Sequence, residues 1–485
     1  MKFKEHPRGL MVLFFTEMWE RFSYYGMRGI LTLFLIAELS SGGLGLDKPT
    51  AGAIYGLYTG LVYLLALPGG WIADRILGQK RAVFWGGLII ALGQFTLAIP
   101  QVTTFYIGLV IIIIGTGLLK PNVSTIVGEL YPEGGARRDA GFSIFYMGIN
   151  LGALVGPLIC GYLGENINWR LGFSAAGFGM LLGLLQYKLG EKHFGTAGDL
   201  KESARAQKGE SIKMLFKGLG LTVAIILLFI FLHTTNIFTI TLNGFAQFMG
   251  ILIVGIALLF FIYLFLFGHL TTTEKKRTFV IFLLFIGAAL FWSGFEQAGS
   301  SMNFFAKELT NRNILGLEIP ASWLQSINPL FIIVLAPVFG SLWVWLSQRQ
   351  KEPSIPAKFG IGLLLLGSGF LVMMWAATYT MDGNKVSPMW LITTYFLQTC
   401  GELALSPVGL SSITKLSPPR YVGQMMGTWF MGAALGNLIA GLIGGQFEAL
   451  PLPELFGGVA LFTGGAGLLF LLFSKPIKKL TEGIN

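Results

Sequence analysis

Six residues able to do ionic or proton chemistry stand close together near the start of the chain: Glu17, Glu20, Arg21, Tyr24, Tyr25 and Arg28. Their background is otherwise apolar. At about 100° per residue they fall on one stripe of a helix. Two acids, two bases and two tyrosines on one stripe face a cavity, not lipid. A charge at the bilayer centre costs about 2.5–3.5 kcal/mol on insertion scales, so each needs a reason to be there. A structural Glu17–Arg21 pair at i,i+4 accounts for two of them. It does not account for the rest, because apolar packing would stabilise a purely structural helix as well or better. A buried Glu that alternately pairs with Arg and takes a proton is a two-state switch.

Three more charges lie deep in apolar segments. Lys120 precedes Pro121 and Asn122, and proline opens the helix there. Glu296 follows Trp292-Ser-Gly-Phe, and Glu402 lies in Gly401-Glu402-Leu403. The first part of the chain thus offers Arg21, Arg28 and Lys120 with two acids, and the second offers acids alone. A cavity between them is positive on one wall and negative on the other. That suits a zwitterion, with its carboxylate toward Arg21 and Lys120 and its amine toward Glu402. None of the four histidines lies mid-span, so a proton relay here uses Glu. Paired His or Cys ligands are missing, which argues against a metal. No Gly-Lys-Ser/Thr phosphate loop supports ATP drive. Cys160 and Cys400 read as small thiols in apolar runs. Ser293 has no histidine at hand, so an enzyme is not expected.

The elements that position these residues follow from composition. Of 485 residues, 54% are hydrophobic and 12% charged, with 66 glycines and 41 phenylalanines. Soluble domains carry about 25% charged residues. The chain is therefore an all-α polytopic membrane protein. The basic start, Met1 to Arg8, resembles the head of a signal peptide, but Glu17 and Glu20 interrupt the apolar run behind it, so a retained first span is expected. Spans of about 20 apolar residues fall near 10–37, 52–74, 82–100, 103–128, 140–163 and 169–187. After a polar stretch, Gly218 to Gly268 holds no Asp, Glu, Lys or Arg and is long enough for two more. Six others fall near 278–299, 321–347, 358–378, 388–413, 421–446 and 455–474, which makes fourteen.

The charges orient them. Of 34 Lys and Arg, 26 fall on the side of the N-terminus, 5 on the other and 3 within spans. This bias places both termini in the cytoplasm. It also accounts for the net charge of +10 without nucleic acid, since basic loops face the anionic inner leaflet. An internal repeat organises the spans. Met147-Gly148-x-x-Leu151-Gly152 recurs 284 residues later as Met431-Gly432-x-x-Leu435-Gly436. The expected organisation is a six-helix bundle over residues 1–188, a linker with two additional helices over 189–277, and a second six-helix bundle over 278–485. Such halves around a midplane site are common among secondary transporters.

These residues also carry a resemblance. The loop Gly70-x-x-x-Asp74-Arg75-x-x-Gly78-x-Lys80-Arg81 is similar to the signature loop of the major facilitator superfamily. Glu17-x-x-Glu20-Arg21-Phe22-x-Tyr24-Tyr25-Gly26 resembles the first-span motif of the proton-dependent oligopeptide transporter family. Phe145-Tyr146-x-x-Ile149-Asn150-x-Gly152 looks like its fifth-span signature, and the Glu296 and Glu402 segments resemble its seventh- and tenth-span patterns. The resemblance runs the length of the chain and implies a major facilitator fold that moves di- and tripeptides with protons by alternating access. It implies that Glu17, Glu20, Arg21 and Glu296 serve proton coupling. Arg21 and Lys120 would hold the peptide carboxylate, and Glu402, helped by Asn328 and Asn150, its amine. Arg28–Glu296 and Lys120–Glu402 would be gating salt bridges on the outer and inner sides. Tyr24, Tyr25, Tyr63, Trp292 and Trp429 would line side-chain pockets.

Two departures point to a bacterial member in the cytoplasmic membrane. Animal members have a second-span histidine and a large extracellular insertion, whereas here only about Tyr379 to Pro388 is available. No cofactor beyond the proton is expected, and oligomeric state stays open. An alternative substrate is another small zwitterion or an anion such as nitrate.

Overall fold

A computed structural model describes residues 6–235, 239, 241–314 and 316–483. Of the expected break near His233 to Asn236, Asn236 lies outside these. Among the described residues there are seventeen α-helices. The first bundle holds α1 (Arg8–Ile36), α2 (Lys48–Ile72), α3 (Gln79–Leu97), α4 (Val102–Glu129), α5 (Gly135–Gly161) and α6 (Trp169–Gly190). A short α7 (Glu202–Ala206) leads to α8 (Lys208–Thr234) and α9 (Leu242–Phe267). The second bundle holds α10 (Thr272–Phe295), continued by the short α11 (Ser301–Glu308), then α12 (Ile327–Gln348), α13 (Ile355–Thr380), α14 (Met389–Leu416), α15 (Val422–Gly444) and α16 (Leu452–Leu472). Short α17 (Ser474–Leu480) closes the order. Asn313–Ile314 and Leu317–Glu318 form a small antiparallel hairpin.

Fourteen of these helices have 19 residues or more, and they coincide with the fourteen expected spans. Ten are apolar enough by length and hydropathy alone to be recognised as crossing segments. Those that fall short include α1 and α14, which bury the charges of the site. Several helices overrun their apolar spans because polar caps extend them. Asp47 accepts from the Thr50 amide at the start of α2, and Thr271 with Glu274 forms a reciprocal capping box that begins α10 ahead of its apolar run.

The repeat does the same steric work twice. In the first bundle Gly152 of α5 lies against the Met18 carbonyl of α1, closer than any side chain permits. In the second, a Cβ on Gly436 of α15 would lie 2.8 Å from the Ala289 carbonyl and 2.6 Å from the Trp292 Cβ of α10. Small residues let membrane helices pack backbone against backbone. α1, which carries Glu17, Glu20, Arg21 and Arg28, and α10, which leads into Glu296, are thus each locked to a glycine face.

The inserted helices differ from each other. Ser211 is the one buried residue of α8, and the rest of its surface faces outward, as on a helix in lipid. α9 buries Ala246, Ile253, Ala257, Phe261 and Leu264 and packs on both α2 and α15. The polar stretch after α6 is ordered against the first bundle. Lys80 pairs with Asp199 at 2.9 Å, and Glu129 accepts from the Gly198 amide at 2.7 Å. Asp74 accepts from the Gln79 side-chain amide at 2.7 Å, while Arg75 reaches Gln207 at 3.3 Å.

Candidate functional site: a charged cavity between the two bundles

The charged stripe of α1 is buried as its spacing requires. Glu17, Glu20, Arg21, Tyr24 and Arg28 are each no more than 5% exposed. Arg21 Nε lies 2.9 Å from Glu17 Oε1 and 2.6 Å from Glu20 Oε2. One guanidinium between two carboxylates leaves them undersupplied with donors. The second oxygen of Glu17 and both oxygens of Glu20 accept no hydrogen bond.

Two turns further along, Arg28 crosses to the second bundle. Its Nη2 meets Glu296 Oε2 at 3.1 Å, both side chains about 5% exposed. The expected Arg28–Glu296 pair is therefore formed. Glu296 is placed by a break in the helix. α10 stops at Phe295, and residues Glu296–Gly299 make a tighter 3-10 turn before α11 resumes. The break frees backbone carbonyls, and the first bundle supplies donors to them. Tyr55 donates to the Glu296 carbonyl at 2.9 Å, and Thr32 to the Gly299 carbonyl at 2.7 Å.

Between the bundles lies a cavity of about 150 Å³. Tyr25, Arg28, Tyr63, Asn150, Trp292, Glu296, Asn328 and Glu402 all lie on its wall, as their positions in the sequence suggest. Asn328 donates to Glu402 Oε2 at 3.2 Å and to the Thr399 hydroxyl at 2.9 Å, which orients the carboxylate toward α12. Tyr146 of the fifth-span motif also lines it, as do Gln325 and Gln398, which nothing in the sequence singles out.

Lys120 sits one side chain behind the wall, its Nζ 3.5 Å from the centre of the Tyr63 ring. The Lys120–Glu402 pair is not formed in this conformation, and Lys120 has no ion-pair partner among the described residues. Two residues expected on the pocket walls are packed elsewhere. Tyr24 stacks on Tyr58 at 6.3 Å. Trp429 is 8% exposed and fills the core of the second bundle, edge-on to Phe359 at 6.4 Å. Aromatic side chains satisfy core and pocket equally well, so their type alone does not separate the two.

A group of residues that sequence reasoning missed closes the end of the cavity opposite the termini. Lys48, at the start of α2, pairs with Glu308 at 2.8 Å and with Glu448 at 2.9 Å, both from the second bundle. It also lies over the Phe447 ring at 4.6 Å. Glu165, just past α5, is 1% exposed and accepts from the Ala321 amide, the Ser322 amide and the Ser322 hydroxyl, with Lys307 at 3.4 Å. Trp323 and Ser326 donate to the Leu158 and Leu154 carbonyls of α5. In the sequence these charges look like ordinary loop residues at span ends, which is why nothing singled them out.

Residues 80–455 match the POT family. The chain is 44% identical over 483 residues to an uncharacterized transporter of Bacillus subtilis, covering 99% of this chain and 96% of that one. It is 43% identical over 491 residues to the peptide transporter YePEPT of Yersinia enterocolitica, covering 98% and 95%. A crystal structure of a peptide transporter POT in complex with sulfate, 40% identical, superposes with a TM-score of 0.90 over 100% of this chain and 97% of that one. A shared motif set, a shared fold and identity along nearly the whole length converge, and the chain belongs to the POT family of major facilitator transporters.

Proposed function

We propose that this protein is a proton-coupled symporter that imports di- and tripeptides across the bacterial cytoplasmic membrane by alternating access, with both termini cytoplasmic. The observation that carries the reading is the two-signed cavity. Arg28, with Lys120 behind Tyr63, stands on the first bundle's side, and Glu402 held by Asn328 on the other. A peptide is a dipole of fixed chemistry at its ends and variable chemistry between them. Charged anchors hold the ends, while Tyr25, Tyr63 and Trp292 accept varied side chains. The peptide transporters among its relatives support the same reading.

The proton enters through the carboxylates. In the Glu17–Glu20–Arg21 cluster, Glu20 is the acid whose oxygens lack donors, and protonation there removes a buried, poorly compensated charge. Protonation of Glu296 would release Arg28 and so unlock the closed end. In the structure that end is sealed and Lys120 is apart from Glu402. The sealed end and the separated Lys120 and Glu402 support a reading as a carrier facing the cytoplasm. Its outward-facing counterpart would close Lys120 onto Glu402 and open Arg28–Glu296. The proton is the coupling ion, and no other cofactor is invoked.

The test is transport by purified protein in liposomes with an acidic exterior and an inside-negative potential. Labelled dialanine should accumulate, a protonophore should abolish this, and dialanine amide and single amino acids should compete poorly. Lack of peptide uptake by folded protein, with uptake of nitrate or another small zwitterion instead, would replace the substrate while keeping the fold.

A further inference from the structure

A second polar cavity, of about 390 Å³, lies at the end of the molecule that carries both termini. Its walls come from the second bundle: the last turns of α12 and α14, the loop from α12 to α13 with Gln350, Glu352 and Pro353, the first turn of α13, and α17. Three lysines line it, Lys358, Lys415 and Lys478, together with Ser347, Ser411 and Ser412. Glu352 is the one carboxylate on the wall.

The charges do not balance. Lys358 is 7% exposed, an unusual position for a lysine. Its Nζ meets Glu352 Oε1 at 2.5 Å and lies 4.8 Å from the centre of the Trp343 ring. That hydrogen bond from Lys358, with smaller contributions from Ser347 and the Lys415 charge, holds the Glu352 carboxyl below the usual range, so the acid stays charged. Lys415 and Lys478 make no ion pair among the described residues. The start of α13 adds a weaker positive element: its N-cap Ser354 makes no side-chain cap, and with Pro356 in the first turn only the Ile355 and Ala357 amides are left outside the helix ladder. A cavity with three lysines to one carboxylate, two of them in no ion pair among the described residues, and with serine hydroxyls on its wall suits an anion with several acceptor oxygens.

We propose that this cavity binds a phosphate-type anion, with Lys358, Lys415 and Lys478 as its cationic ligands. Nothing in peptide transport requires it, and it lies at the opposite end of the second bundle from the Lys48 and Glu165 contacts. Two sources share the chemistry: the headgroup of an anionic phospholipid and free inorganic phosphate. Its place at the basic end of the bundle, where loops meet a negatively charged leaflet, is where a headgroup would be met.

The test is the thermal unfolding of the purified full chain in detergent. The probes are added dioleoylphosphatidylglycerol, dioleoylphosphatidylcholine or inorganic phosphate. Lys415→Gln with Lys478→Gln removes two ligands that are both exposed, so the fold is kept. Lys475→Gln with Lys479→Gln removes the same charge from α17 outside the cavity. The expected result is a rise in Tm with phosphatidylglycerol, none with phosphatidylcholine, and loss of at least half the rise in the first double variant only. If inorganic phosphate alone reproduces the whole rise, the site stands and its occupant is the free anion. No rise with either phosphate probe, or an equal rise in both double variants, overturns the proposal.

Discussion

Glu165 and Ser322 belong to different bundles, yet Ser322 gives Glu165 both its backbone amide, at 2.9 Å, and its hydroxyl, at 2.6 Å. The Ala321 amide adds a third bond at 3.0 Å. A buried carboxylate thus caps the 3-10 turn that opens α12, and this cap must be undone whenever that end of the cavity opens. Hydrogen bonds to a charged group contribute about 1.5–3 kcal/mol. Glu165→Gln keeps the shape and loses the charge. It should shift the population toward opening at this end, and spin labels at Ser40 and Asp382, both exposed there, should report longer distances. An unchanged distance distribution would show that Glu165 does not hold the closed end.

Glu20→Gln removes the acid with two unserved oxygens while retaining its size. Gradient-driven peptide accumulation should fall to background, because the variant lacks the carboxylate that takes the proton beside Arg21. Counterflow of unlabelled for labelled peptide, which needs no net proton movement, should survive. Accumulation at the normal rate in this variant would remove Glu20 from the coupling step.

Lys120→Ala and Glu402→Ala each delete a proposed anchor for one peptide end. The loss of one charge-assisted contact, about 1.5–3 kcal/mol, corresponds to a rise of about 10- to 100-fold in KM. Dialanine amide, which lacks a carboxylate, should lose far less than dialanine when Lys120 is removed. Equal losses for both substrates would contradict the assignment of ends.

Gly152→Ala drives a methyl group into the Met18 carbonyl, and Gly436→Ala drives one against the Ala289 carbonyl. Overpacking of this kind costs about 1–3 kcal/mol. Both variants should melt earlier in detergent than Gly464→Ala, whose Cβ meets nothing within 4 Å. If all three melt alike, the glycine faces are not what fixes α1 and α10.

How much of this the sequence revealed depends on the background of each residue. Glu17, Glu20, Arg21, Arg28, Glu296 and Glu402 were legible because a charge in an apolar run has few explanations. The fourteen helices were legible for the same reason, and their ends ran over because capping happens outside the apolar window. Lys48 and Glu165 were not legible. A charge at a span end is ordinary, and only the folded chain shows Lys48 set against Glu308 and Glu165 against Ser322. The 3-10 break at Glu296 is written in Gly299-Ser300-Ser301, but small residues are too frequent in these helices to mark it. Tyr24 and Trp429 show the opposite failure, since a motif position says where a side chain starts and not which neighbour it packs on.

α9 lies along the joint of α2 and α15 and touches both. Seen from the surrounding membrane, it covers the crack that rocking would widen. An acyl chain would have to displace Ala246, Ile253 and Ala257, which are buried against the joint, before it could wedge between the bundles. In the alternating-access carrier proposed above, this inserted helix would work as a gasket: it would keep lipid out of a moving seam, a task that needs contact with both bundles and no charge at all.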